Sequence, residues 1–214
     1  MNRREALKNF GLGAGILIIG PSTLSLLQSC KNDAKNDWQP TFLSISNGLA
    51  LQQILNVIIP KTDTLGANDL NLAQFIDSYM DQVASEERRD NFKRSAASFA
   101  VAFQAIFDKD LNDGEEVDFE KIISKYLNAT QAEKESFAKR ETETQDPMEE
   151  IAKLELNADS GSLSYLKEIR QMAIWAWKTS EEIGENVLWY DPIPGQFIAC
   201  GSVEELGNGK AMSL

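Results

Sequence analysis

Between residues 72 and 83 the apolar side chains are Leu72, Phe75, Ile76, Tyr79, Met80 and Val83. Steps of three and four gather on one face of a helix, whereas a strand would scatter them over both of its faces. The same period returns along the chain. Leu51, Ile54, Leu55 and Ile58 share a face from about Ser46 until Pro60 ends the run. From about Glu86, Phe92, Ala96, Phe99, Phe103 and Ile106 make a longer stripe, rich in phenylalanine and suited to a core. Asp118 is placed to cap a short helix presenting Phe119, Ile122, Ile123 and Tyr126, and Thr130 with Glu133 has the spacing of a capping box. A last stripe begins near Ser162 and runs through Leu163, Leu166, Ile169, Met172 and Ala173 to Trp177. No alternation persists and no internal repeat occurs. The pattern predicts an all-α fold: a single compact helical domain with short loops over residues 46–214.

Between these stripes lie polar connections. The stretch "KTDTLGAND" at 61–69 is rich in turn formers. Residues 139–150 are charged and include Pro147. "DKDLNDGEEVDFE" at 108–120 has Asp108, Asp110 and Asn112 where a calcium loop places its first three ligands. Its glycine, Gly114, and its last glutamate, Glu120, are each one position too late. That shift breaks the coordination geometry and leaves an acidic helix–helix connection.

The 214 residues contain no histidine and only two cysteines, Cys30 and Cys200. This rules out a Ser-His-Asp triad, a His-ligated zinc and a His-bound haem, along with Cys-rich clusters. The glycines of "GLGAG" at 11–15 do not follow a strand, so they do not form a dinucleotide fingerprint. The expectation is no catalytic, cofactor or metal site in this chain. The formal net charge of −12 argues against nucleic acid, which is bound by neutralising phosphates with Lys and Arg.

The N-terminus differs from the rest. Arg3 and Arg4 precede Leu7 and Lys8, and the stretch from Phe10 to Leu27 is uncharged. A positive start, an apolar run and small residues at its end make an export signal, and paired arginines point to the twin-arginine route. Leu27-Gln28-Ser29-Cys30 fits the lipobox pattern, with lipid expected on Cys30 after cleavage. The run is also long enough to span a membrane if retained, though Gly11, Gly13, Gly15, Gly20 and Pro21 interrupt it. The expected organisation is a signal segment at 1–29, a linker at 30–45 and the helical domain at 46–214. The place expected for it is the periplasmic face of a bacterial membrane.

The C-terminal segment "LWYDPIPGQFIACG" departs from the helical period. Trp189, Tyr190 and Phe197 surround Pro192, Pro194 and Gly195, with Asp191 among them and Trp175 and Trp177 upstream. This irregular aromatic and proline-rich tail can fold back to cap the core, offer an aromatic docking surface, or do both, since Trp and Tyr dominate binding hot spots. Cys200 lies within it. A single exported thiol either pairs with another chain or is packed as a small hydrophobe.

Five segments resemble the gluconate 2-dehydrogenase subunit 3 family: "NRREALK" at the start, "VIIPKTDTLGA" at 57–67, "FIDSYM" at 75–80, "TSEEIG" at 179–184 and "YDPIPGQFIACG" at 190–201. The resemblance implies the small subunit of a membrane-associated sugar or sugar-acid dehydrogenase. In such a complex, a larger flavoprotein of the glucose–methanol–choline type holds FAD and oxidises the substrate, often passing electrons to a cytochrome c subunit. It further implies a non-catalytic partner for export, assembly and anchoring, with the twin-arginine signal used on behalf of the flavoprotein. Two other readings stay open: a free-standing helical envelope lipoprotein that binds another protein or ligand, and an enzyme using carboxylates as acid and base.

Overall fold

Serines set where several helices begin. In a computed structural model of the chain, residues 38–142, 158–193, 195–196 and 198–213 are described. Among them are eight α-helices and no strand. Ser44 accepts a hydrogen bond from the Asn47 amide at the start of α1 (Ile45–Ile58), and α2 spans Leu72–Gln82. Ser85 accepts from the Arg88 amide at the start of α3 (Glu86–Phe107). Such oxygens satisfy amides that have no partner within the helix. A short 3-10 turn, Leu111–Asp113, leads into α4 (Glu116–Leu127). The remaining helices are α5 (Gln131–Thr142), α6 (Ala158–Thr179), α7 (Glu181–Asn186) and α8 (Val203–Gly207).

The two longest helices, α3 and α6, form the centre of the fold, and α1, α2, α4 and α5 pack around α6. At Gly161 the α6 backbone comes close to α3, where an added Cβ would lie 2.4 Å from the Ser98 side chain. Any larger residue there would push the helices apart. A line of aromatic rings runs through the interior. Phe42 meets Phe92 at 6.2 Å, Phe92 meets Tyr165 at 5.1 Å and Tyr165 meets Phe99 at 5.5 Å. Phe99 then meets Phe103 at 6.4 Å, and Phe103 meets Phe119 at 5.0 Å. These centroid separations are in the range where tilted rings attract. Burial pushes the Tyr165 hydroxyl pKa well up.

Three expectations change. Asp118 is the third helical residue of α4 rather than its cap: Glu115 is the cap, and Asp118 reaches back to the Glu115 amide at 3.2 Å to complete a capping box. The α6 helix starts at Ala158, four residues ahead of Ser162. "ADSGS" has poor helix propensity, but packing of Gly161 on Ser98 overrides it, and the Ser162 hydroxyl bonds back to the Ala158 carbonyl. The core stripe of α2 is also narrower than its apolar pattern. Leu72, Ile76 and Met80 are buried, whereas Phe75 and Val83 are exposed.

Thr130 and Glu133 do form a capping box: the Thr130 amide donates to Glu133 at 2.7 Å and the Glu133 amide to Thr130 Oγ1 at 3.3 Å. In the 108–120 connection Asp108 caps α3 with a left-handed backbone, and Asp118 pairs with Lys109 at 2.8 Å. Among the described residues no group of three or more Cys, Asp or Glu is placed to hold a metal ion, and no helix is long and apolar enough to cross a membrane.

Candidate docking surfaces

A buried carboxylate controls how the chain enters the domain. Asp77, on α2, is 1% exposed. Its two oxygens accept from the amides of Thr41 at 2.7 Å, Phe42 at 3.3 Å and Leu43 at 2.9 Å, and from the Thr41 hydroxyl at 3.0 Å. A buried charge needs such partners to offset its lost hydration. Phe42 and Leu43 are then held in the core, and the Lys93 ammonium lies 4.5 Å from the Phe42 ring. Sequence reading passed over Asp77 because a lone acid inside a helical stripe looks like a solvated position.

The 59–71 connection is also fastened. Lys61 pairs with Asp69 at 2.8 Å, and the other Asp69 oxygen accepts from the Gly66 amide at 2.9 Å. Both interactions hold the Asp69 carboxyl below the usual range, the Lys61 bond most strongly. Trp177 donates its indole N–H to the Leu65 carbonyl at 2.9 Å, tying this loop to α6.

Trp175 lies two residues away on the same helix and so points to another side. Its ring, 49% exposed, packs 5.6 Å from Phe75 and 6.1 Å from Tyr79. Arg88 closes this patch with its guanidinium 5.3 Å from the Tyr79 ring centroid. It donates to the Tyr79 hydroxyl at 3.2 Å and through Nε to Glu168 at 2.8 Å. The Glu168 bond holds the Arg88 pKa up. A cleft of about 250 Å³ beside it is lined by Ser85, Asn91, Ser95, Ser164 and Tyr165.

The described residues from 188 to 213 form an arm whose two ends are joined, with Lys210 reaching the Asn186 carbonyl of α7 at 3.4 Å. The Trp189 amide donates to the Ala211 carbonyl at 2.8 Å, and the Ser213 amide donates back to the Trp189 carbonyl at 2.9 Å. Gly207 lies under the Trp189 ring, where an added Cβ would come within 2.7 Å of it. The α8 helix carries its own capping box, Ser202 with Glu205. Gly195 turns the chain with φ at 64°, in the left-handed region. Tyr190, Pro192 and Ile193 are exposed, and Asp191 is half-buried. Cys200 is an exposed free thiol in the arm.

The structure therefore divides the aromatic residues grouped in sequence. Trp175 joins Phe75 and Tyr79, Trp177 joins the 59–71 connection, and Trp189 and Tyr190 belong to the arm. Pro194 and Phe197 lie outside the described residues, as do Arg3, Arg4, Leu7, Lys8 and Cys30.

A clamped entry segment, a central helix pair and an arm with exposed apolar side chains together define an all-helical domain. The chain belongs to the gluconate 2-dehydrogenase subunit 3 family, whose model matches residues 46–195. That range takes in α1 to α7 and the first turn of the arm. No curated protein and no solved structure matches the chain.

Proposed function

We propose that this chain is the non-catalytic small subunit of an exported FAD-dependent dehydrogenase complex acting on a sugar or sugar acid. The observation that carries this reading is the family match over residues 46–195, which spans almost the whole helical domain. The partner is a flavoprotein large subunit of the glucose–methanol–choline type, with a cytochrome c subunit as a further member of the complex. This chain supplies export, assembly and anchoring. Arg3, Arg4, Leu7 and Lys8 direct the folded pair through the twin-arginine route, and lipid on Cys30 holds it at the periplasmic face of the membrane.

The flavin is assigned to the large subunit, as the family resemblance implies. The cleft beside Arg88, about 250 Å³, is below the roughly 300–1,000 Å³ of small-molecule sites. Its cation is already committed to Glu168, and no glycine-rich phosphate loop adjoins it. Redox chemistry is supplied by the flavin in the large subunit. What this chain contributes is a surface, a clamp at Asp77 that fixes the entry segment, and a route out of the cytosol.

Isolation of the full-length chain from membranes of its own cells tests this. The expected result is a stoichiometric flavoprotein with FAD absorbance in the eluted complex, and dehydrogenase activity on a sugar or sugar acid. Recovery of the chain alone, or with proteins that hold no flavin, would favour the free-standing lipoprotein reading.

A further inference from the structure

We propose that the arm at residues 188–213 is the surface on which the large subunit docks, and that the matching face of that subunit is an apolar groove with a basic border. This rests on the reading of the chain as an accessory subunit, and it identifies the surface and the chemistry of the partner face.

Exposure is the first observation. Ile193 is 84% exposed, Val203 56%, Ile198 46%, Met212 44% and Tyr190 43%, while Gly207 alone is buried among the described residues from 188 to 213. Exposed apolar residues in such a run mark an interaction surface. Second, the described residues of the arm are held by contacts of their own. The Trp189–Ala211 and Ser213–Trp189 bonds close its ends, Gly207 packs under Trp189, and Ser202 with Glu205 fixes α8. A preformed loop loses less conformational freedom on binding than a free tail would.

Charge then selects the occupant. Glu181, Glu182 and Glu185 precede the arm in the chain and Asp191, Glu204 and Glu205 lie within it, with Lys210 as the one basic residue from 181 to 213, so the arm has an acidic border. None of the six forms an ion pair among the described residues. An anionic lipid surface repels this border, and so does the same arm on a second copy. A protein face with lysines or arginines around an apolar groove complements it. The competing patch, Phe75 with Tyr79 and Trp175, has its rings packed on one another and is framed by the Arg88 cation, not by an acidic run.

The test uses the full-length chain and the flavoprotein co-isolated with it. Combining Ile193→Asp with Ile198→Asp should weaken binding at least thirtyfold while leaving helicity and thermal midpoint unchanged. Trp175→Ala should stay within threefold of wild type. Glu204→Lys with Glu205→Lys should slow association and reverse its salt dependence. Hydrogen exchange of the wild-type complex should show new protection within 188–213, a readout that needs no variant. Unchanged binding by the folded arm variant, absence of that protection, arm-dependent dimerisation, or arm-dependent binding to phosphatidylethanolamine–phosphatidylglycerol vesicles would each overturn the assignment. A wild-type chain that binds no flavoprotein overturns the accessory-subunit reading and this inference with it. A wild-type chain that binds while the arm variant binds equally well overturns the inference alone.

Discussion

The α3–α6 pair and the C-terminal arm use aromatic and aliphatic residues in opposite ways. In the pair, Phe92, Phe99, Phe103 and Tyr165 are sealed from solvent and contact one another in series. In the arm, Tyr190, Ile193 and Ile198 stay exposed, and order comes from backbone hydrogen bonds between Trp189, Ala211 and Ser213. The first region is stabilised by burial, the second by local closure. Substitutions in the pair should therefore act on stability, and substitutions in the arm on association.

The largest expected effect is at the centre of the ring series. Phe99→Ala should lower unfolding free energy by about 3–5 kcal/mol, as for other buried aromatic truncations, read from urea midpoints at constant slope. A loss below about 1 kcal/mol would break the comparison.

Asp77→Ala comes next. It leaves the buried Phe42 and Leu43 amides without their acceptor, at about 1–3 kcal/mol for each unsatisfied group. Asp77→Asn keeps one acceptor oxygen and should lose less than the alanine variant. Equal losses would mean that packing, and not the clamp, holds the entry segment.

Acid should act on the α4 capping box. The Lys109 ammonium, and then the Glu115 amide, hold the Asp118 carboxyl below the usual carboxylate value. A lowered folded-state pKa contributes stability that is present above the unfolded value, roughly 4, and lost as pH falls through the folded value. Lys109 shifts the other way, chiefly through its bond to Asp118, so its contribution is present below roughly pH 10 and lost only above that. Thermal midpoints should therefore drop below about pH 4 in wild type, and less so in Asp118→Asn.

Arm substitutions should leave the fold alone. Ile193→Asp is expected to change stability by less than about 0.5 kcal/mol, the usual range for surface positions. Cys200→Ser should change stability even less. If the exposed Cys200 thiol pairs with the large subunit in the oxidising compartment, non-reducing electrophoresis of the native complex will show a band at the combined mass that Cys200→Ser removes. A single small-subunit band in both would leave docking non-covalent.

Much of the core was legible in sequence because buried stripes keep the helical period. Leu51, Ile54 and Leu55, then Phe92, Ala96, Phe99 and Phe103, are buried as their spacing predicts, whereas Ile106, in the last turn of the α3 stripe, is exposed. Four features were not legible. Asp77 is an acid whose partners are 34 to 36 residues away, and one-dimensional pattern carries no trace of such a contact. The first turn of α6 runs through "ADSGS", where packing on Ser98 outweighs propensity. Trp175 and Trp177 are neighbours in sequence, but helical rotation separates them, so a cluster read along the chain becomes two contacts in space. The closure of the arm through Trp189 and Ala211 likewise depends on residues 22 positions apart.

The central claim, that this chain carries a companion out of the cytosol, is tested most directly by changing Arg3 and Arg4 to lysine and following the flavoprotein as well as this chain. If the signal serves both, the variant should leave the flavoprotein in the cytosol, folded and holding FAD, with dehydrogenase activity missing from the membrane fraction. A flavoprotein that still reaches the periplasmic face in full amount, while this chain is retained in the cytosol, would contradict the account.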